Sequence, residues 1–362
     1  MLDKVFAPKG MTPAYHPHEA ATPQRPQRRR PINLYRLGML DIQPPRRSTP
    51  VLGPRQSRAV GQVAASPQTV PKIVWMMWLQ GLDNAPPAVK ACYDSWVAHN
   101  PDWQVVMLDE HNFRDYVDVD DVLGSDNNMQ IQARADVIRI NLLAEHGGVW
   151  ADATCFCRKP LDSWIDDYTR SGFFAFDKPS KLKLMDNWFM ASHQGCYLTQ
   201  RVADASNAYW LENTGLTRRH ATMLARTLNL LLNRSITTTR HWFSPAIRKL
   251  TRSYPYPWFQ YLFTRLVAED ARFRDVWAQT PKFSADLPHK LLRLGIISPL
   301  TEEAKREIDS ETTPLYKLNW HYSPAKYTPD TTLHYLFSTI QDEPTPPHVL
   351  ESSGQSGTAT AS

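Results

Sequence analysis

The sequence predicts an α/β protein, with a mostly parallel sheet flanked by helices and a largely helical C-terminal addition. Three observations point there. Pro71–Trp78 and Trp103–Leu108 are apolar runs short enough for buried strands. Segments of helical spacing alternate with such runs, the order that sets parallel strands side by side under helices. Beyond about residue 200 the pattern is mainly helical, and no internal repeat is visible.

Each element follows from local chemistry. After the first strand, Leu79-Gln80-Gly81 leads to Pro86-Pro87, and proline is tolerated in a first helical turn. Val89, Cys92, Trp96 and Val97 then recur at helical spacing, and His99-Asn100-Pro101 stops the helix. The second strand ends at Asp109, which reads as a cap for a short helix from His111 to Tyr116. A polar loop with Gly124-Ser-Asp-Asn-Asn128 precedes a central helix from about Gln130 to His146, with Ile131, Ala135, Ile138, Leu142 and Leu143 as its apolar stripe. Further strands are expected near Phe173–Phe176 and Trp188–Ala191.

Residues 1–69 are rich in Pro, Arg, Gln and Ser without periodicity, which reads as a disordered arm. Residues 343–362 read as a disordered tail. The ordered domain is expected over 70–342, with a binding core at 70–200 and a helical, acceptor-facing part at 201–342.

The chain has 362 residues and 42% hydrophobic content, enough for a sizeable core. The formal charge of +5 is unevenly placed. From Thr217 to Leu266 there are nine basic side chains and no Asp or Glu, whereas carboxylates concentrate between Asp94 and Asp186. Cys92, Cys155, Cys157 and Cys196 do not make a disulfide framework at this length. On an extended strand the Cα atoms of Cys155 and Cys157 would lie roughly 6.6 Å apart, near the limit of disulfide reach. They read as small core hydrophobes in a reducing compartment. No window reaches the roughly 20 apolar residues needed to span a bilayer. A cytoplasmic location is expected, with peripheral attachment at a membrane as the alternative.

The most informative stretch is Ala135-Asp-Val-Ile-Arg139 followed by Glu145-His-Gly-Gly-Val-Trp-Ala-Asp-Ala-Thr154. Asp136 and Arg139 are three apart and so share a helix face. A plain intrahelical ion pair would account for them, at a few tenths of a kcal/mol. The continuation favours function. Gly147-Gly148 can adopt the left-handed conformation that ends a helix. Val149-Trp150-Ala151 then enters the sheet, leaving Asp152 at its carboxyl edge, where α/β proteins bind ligands. A carboxylate there suits Mg²⁺ or Mn²⁺, which favour oxygen ligands, and an adjacent arginine fork can clamp phosphate or sugar oxygens.

The ordered set resembles the DXD-type sugar-binding glycosyltransferases, most closely their capsular polysaccharide synthesis branch. The pieces are Pro71-Lys72-Ile73 with Trp78, Ser95-Trp96, Asn100-Pro101, Asp136-Val-Ile-Arg139 and Gly147–Thr154. Lys159-Pro-Leu-Asp162 and Asn187-Trp-Phe-Met-Ala191 complete it, so the likeness covers about Pro71 to Gln200. It implies a GT-A-like, Rossmann-related fold and a hexosyltransferase-type enzyme using a UDP- or GDP-sugar donor and a glycan or lipid-linked acceptor. Carried over by position, Trp78 stacks on the donor base and Asp136 accepts hydrogen bonds from ribose or sugar hydroxyls. Arg139 contacts sugar or phosphate, and Asp152 is the metal-side carboxylate. The resemblance makes Asp136, Arg139 and Asp152 the catalytic set, with Mn²⁺ or Mg²⁺ held by Asp152 and Thr154. Thr154 stands where the pattern has a second acid; a hydroxyl is the poorer ligand, so weaker metal affinity is expected.

Asn187 and Trp188 lie where a donor or acceptor contact is expected, with packing as the alternative. Lys317, Trp320 and His321 resemble the late motif that closes over the donor in such enzymes. Trp75 and Trp78 fall on opposite strand faces, one in the core and Trp78 toward the loop. In the acid-free stretch, Trp242, Phe243, Tyr254, Tyr256, Trp258, Phe259, Tyr261 and Phe263 accompany the basic residues. A solvated helical face is one reading, and attraction to an anionic membrane surface with interfacial aromatics is another. Nucleic acid is not an expected partner, because no recognised module accompanies the charge.

Two rival functions are a glycoside hydrolase and a catalytically degenerate scaffold. A hydrolase needs paired carboxylates. The expectation against it is that Arg139 keeps the pKa of Asp136 low and unsuited to acid catalysis.

Overall fold

In the computed structural model the described residues are 69–124, 129–218, 223–323 and 327–341. The N-terminal arm, the tail and most of the Gly124–Asn128 loop lie outside them.

The chain starts with β1 (Ile73–Met77), whose middle residues Val74, Trp75 and Met76 are buried. Helix α1 (Pro87–His99) has Pro at its first position, where no backbone N–H is needed, and stops before Asn100 as expected. Strand β2 (Gln104–Leu108) follows. The short helix expected over 111–116 is only a single 3-10 turn, Phe113–Asp115. Asp109 accepts from the backbone N–H groups of His111 (2.8 Å) and Asn112 (3.0 Å), the capping role read from the sequence.

After α2 (Asp120–Leu123), α3 (Ile131–Glu145) is the central helix. Its apolar stripe differs from the expected one. Ile131 is exposed and Ala135 half-buried, whereas Asp136, Val137, Ile138, Arg139 and Ile140 are consecutively buried. The reason is that its second half is covered on several sides, so burial there does not follow a single stripe. Gly147 and Gly148 end the helix at φ of +69° and +88°. A Cβ on Gly147 would lie 2.6 Å from the Gln194 backbone nitrogen, and one on Gly148 2.7 Å from the Ile73 carbonyl oxygen. Both the conformation and the close approach demand glycine.

Strand β3 (Gly148–Ala151) enters the sheet at once, and β4 (Cys155–Cys157) is fully buried. All four cysteines are buried and none is in a disulfide, as expected of small core hydrophobes. Beyond α4 (Ile165–Tyr168), β5 (Phe173–Ser180) and β6 (Lys183–Ser192) form an antiparallel hairpin.

The main sheet has the order β2-β1-β3-β6-β5. Strands β1, β2 and β3 pair in parallel, while β6 runs against both β3 and β5. Four of the five strands therefore share one direction. The remaining elements are mostly helical: α5 (Tyr197–Glu212), α6 (Met223–Leu232), α7 (Ile236–Thr239), α8 (Pro245–Thr251), α9 (Trp258–Glu269), α10 (Ala271–Gln279), α11 (Lys290–Leu294), α12 (Glu302–Asp309) and α13 (Thr332–Gln341). The exception is β7 (Leu315–Lys317), which returns to pair antiparallel with β4.

Each sheet face carries its own core. Trp75, Trp150 and Met190 pack with side chains of α3, α5 and α9. Val74, Val149 and Phe189 pack on the other face with Trp96 of α1, Phe156 of β4 and Leu336 of α13. Several motifs singled out in the sequence are fasteners for this second face. The Asn100 side chain accepts from the Leu161 backbone N–H at 2.7 Å and donates to the Trp96 carbonyl at 3.0 Å. Ser95 accepts from the Cys157 N–H, Trp96 donates to the Cys155 carbonyl, and Trp103 donates to Asp162.

Candidate functional site

Strand β3 delivers Asp152 to the sheet edge in the turn that follows Ala151, and a hydrogen bond from its backbone N–H to the Trp188 carbonyl (2.8 Å) fixes that turn. Helix α3 runs behind it and presents Asp136 and Arg139. The Arg139 side chain is 7% exposed and bridges the two acids, 3.1 Å from Asp152 Oδ1 and 3.5 Å from Asp136 Oδ1. It also donates to the Asn187 carbonyl and lies over the Trp150 ring, 4.9 Å from its centroid. Trp150 in turn donates to Asp152 Oδ1 at 3.0 Å. The guanidinium is thus held in place before any ligand arrives, while its Nε is buried with no partner in the protein.

Asn187 on β6 is part of the same network. Its amide donates to Asp136 Oδ1 at 2.7 Å and accepts from Gln260 of α9, also at 2.7 Å. Burial pushes the Asp136 carboxyl up from 3.8 to about 7, with the nearby Asp152 charge adding to the rise and Arg139 opposing it. This overturns the expectation that Arg139 holds Asp136 low. At this depth desolvation of the carboxylate outweighs a cation it must share with Asp152. A hydrolase can therefore no longer be set aside on pKa; the geometry weighs against it instead, because both carboxylates close on one guanidinium.

Two adjoining chambers meet at Arg139 and Asp152. The larger, about 560 Å³, is lined by Trp78, Trp150, Thr154, Leu318, Trp320 and His321. Trp78 and Trp320 meet edge to face with ring centroids 5.7 Å apart, and Trp320 packs on His321 at 3.4 Å. The Trp78 indole N–H is buried without a partner. The smaller chamber, about 300 Å³, is lined by Asp136, Asn187, Trp188, Gln260 and His289 among others.

Trp78, Asp136, Arg139, Asp152, Thr154, Asn187, Trp320 and His321 all line one or both chambers. Trp75 is core, as its strand face required. Sequence reasoning missed Gln132, Lys183, Asp186, Tyr256, Gln260 and His289. Gln260 carried a signal, as the lone amide in the apolar run Trp258-Phe-Gln-Tyr-Leu-Phe263.

The acid-free stretch behaves differently from its interfacial reading. Trp242, Phe243, Tyr254, Trp258, Phe259, Tyr261 and Phe263 are all buried, because they build the core beneath α5 and α9. Tyr256 alone of that set is exposed; it lines both chambers, and the Arg218 guanidinium lies 4.5 Å from its ring centroid.

Around Asp152 the groups do not suit a divalent cation. Oδ1 is taken by Arg139 and Trp150, Lys317 Nζ lies 3.7 Å from Oδ2, and the same ammonium donates to the Thr154 hydroxyl. Among the described residues no group of three His, Cys, Asp or Glu side chains is placed to hold a metal ion.

Comparison with known proteins bears on the same region. Residues 61–219 match the family described as capsular polysaccharide synthesis protein, a span that includes every motif from Pro71 to Ala191. The O-glycosyltransferase braB of Annulohypoxylon truncatum is 29% identical over 185 residues, 46% of this chain and 44% of that protein. The match thus spans under half of the relative's length. Among solved structures, PaToxG glycosyltransferase aligns over 76% of this chain and 88% of its own, at 12% identity and a TM-score of 0.33, too slight a likeness to build on.

Proposed function

Starting from the match of residues 61–219 to the capsular polysaccharide synthesis family, we propose that this protein is a nucleotide-sugar-dependent glycosyltransferase of polysaccharide assembly. The observation that carries the reading is the meeting of Trp78, Asp136, Arg139 and Asp152 around two adjoining chambers. These residues are separated by up to 74 positions in sequence, and core packing alone gives no reason to gather them at a cavity.

The larger chamber suits a nucleoside diphosphate. Trp78 and Trp320 offer aromatic surface to the base, and Arg139 reaches the diphosphate with a planar fork. The sugar extends past Arg139 toward Asp136, Asn187 and Gln260, whose amides and carboxyl match hydroxyl groups. In the reaction the bond from the anomeric carbon to the diphosphate oxygen breaks, and that oxygen keeps the electron pair. A new bond forms from the anomeric carbon to an acceptor hydroxyl, which releases its proton. Preorganised cations along the leaving group supply the charge stabilisation such a step needs.

The acceptor is a glycan or a lipid-linked glycan met at an anionic membrane surface. Support for the surface comes from α6, whose Met223, Leu224, Leu230 and Leu231 are exposed along with Arg226 of the same helix, and from exposed Arg234, Arg240 and Lys249 later in the acid-free stretch. Among the described residues no helix is long and apolar enough to cross a membrane.

A thermal-shift screen with UDP- and GDP-sugars, followed by product analysis, tests the proposal. Stabilisation by a nucleotide-sugar with sugar transfer to an acceptor is expected, and an Asp152→Asn variant should lose transfer by on the order of 100-fold. Binding without turnover would leave a scaffold. Release of free sugar from a glycan, with no donor required, would leave a hydrolase.

A further inference from the structure

The second cation at Asp152 has a consequence for how the leaving group is held. Lys317 closes β7, and its side chain is 17% exposed. Its backbone is tied on both sides. In the β4–β7 ladder Lys317 faces Cys155, its N–H donates to the Pro288 carbonyl, and the next N–H, of Leu318, donates to the Thr154 carbonyl. The side chain enters the junction of the two chambers, lining both. There Nζ donates to the Thr154 hydroxyl and sits 3.7 Å from Asp152 Oδ2.

A pair of carboxylates at positions 152 and 154 would bring two negative charges and leave room for a divalent cation. At those two positions this chain brings one carboxylate and one hydroxyl, and two fixed cations, Arg139 and Lys317, stand against them, with Asp136 as the second acid on Arg139. Hard divalent ions seek several oxygen ligands and are repelled by fixed ammonium and guanidinium groups. A diphosphate, by contrast, finds two charge-assisted donors on either side of Asp152.

Resting on the glycosyltransferase reading, we infer that Lys317 takes the place of the metal. Its ammonium binds the donor diphosphate directly, and transfer proceeds without a divalent cation. Thr154 is then the residue that orients Lys317, since its hydroxyl can accept from the ammonium without adding a second negative charge that would draw in a metal.

The test is calorimetric titration of UDP and GDP into full-length protein, in EDTA and in MnCl₂, with transfer measured under both conditions. One of the two nucleotides is expected to bind with the same affinity within about twofold in EDTA and in Mn²⁺. Lys317→Ala should weaken it by about 10- to 100-fold, as loss of a charged hydrogen bond does, with no recovery in Mn²⁺. Lys317→Arg should retain most of the affinity, which separates charge from fold. Thr154→Asp combined with Lys317→Ala should bind only when Mn²⁺ is present. Binding that needs Mn²⁺ in the unaltered protein would overturn the inference and leave the transferase reading standing, and so would unchanged affinity in a folded Lys317→Ala variant. Absence of binding in either condition would remove both.

Discussion

The residue with the most leverage is Asp136. Its folded-state pKa, near 7, lies above the 3.8 of an unperturbed carboxyl because burial penalises the charged form. Between those values the folded chain holds a proton that the unfolded chain has released. The stability this group contributes is therefore complete below about pH 4 and declines as pH rises toward 7. Melting curves should show the protein less stable at pH 8 than at pH 5 by an amount that Asp136→Asn removes. The same variant should lower transfer by on the order of 100-fold, because a neutral amide changes the hydrogen-bond pattern offered to the sugar. A transfer rate whose pH profile is identical in the two proteins would rule out a role for this ionisation.

Among the elements, the β4 segment shows how little of a family motif need be catalytic. Ser95, Trp96, Asn100 and Asp162 all recur in the resemblance, and none of them lines a chamber. They act at a distance by fastening β4 and the turn beyond it, and β4 pairs with the strand that carries Lys317. Asn100→Ala would leave the buried Leu161 N–H without its acceptor, at a cost of about 1–3 kcal/mol. For a chain of this size that is a fall of several degrees in the melting temperature. Nucleotide affinity measured well below the melting temperature should stay within about threefold. A large affinity loss with unchanged melting would mean that this motif touches ligand.

Across the whole molecule, the acid-free region combines buried aromatics with a helix, α6, whose Met223, Leu224, Leu230 and Leu231 are exposed together with Arg226. Under the proposed attachment to an anionic membrane, the exposed leucines of α6 enter the interface and basic side chains of the region meet headgroups. Flotation with phosphatidylglycerol vesicles should recover the protein, and purely phosphatidylcholine vesicles should recover far less. Leu230→Glu or Arg226→Glu should each lower partitioning by roughly fivefold or more, at about 1 kcal/mol per charge near the surface. Equal recovery on both vesicle types would dismiss the membrane reading.

The sequence by itself determined the local grammar of the fold. Glycine at 147 and 148, proline at 87 and 101, and short apolar runs fix where helices start and stop and where strands begin, because those constraints act within a few residues. Asp152 stands out locally as the acid that ends a short apolar run, whereas the roles expected of Trp78, Asp136 and Arg139 came from the resemblance to a glycosyltransferase family. What only the tertiary structure decided was the balance of fields. The pKa of Asp136, the burial of the aromatics in the acid-free stretch and the approach of Lys317 to Thr154, 163 positions away, depend on neighbours that no local pattern brings together. Desolvation and Coulomb energy are set by three-dimensional distance, and chain order carries that distance only within a single element.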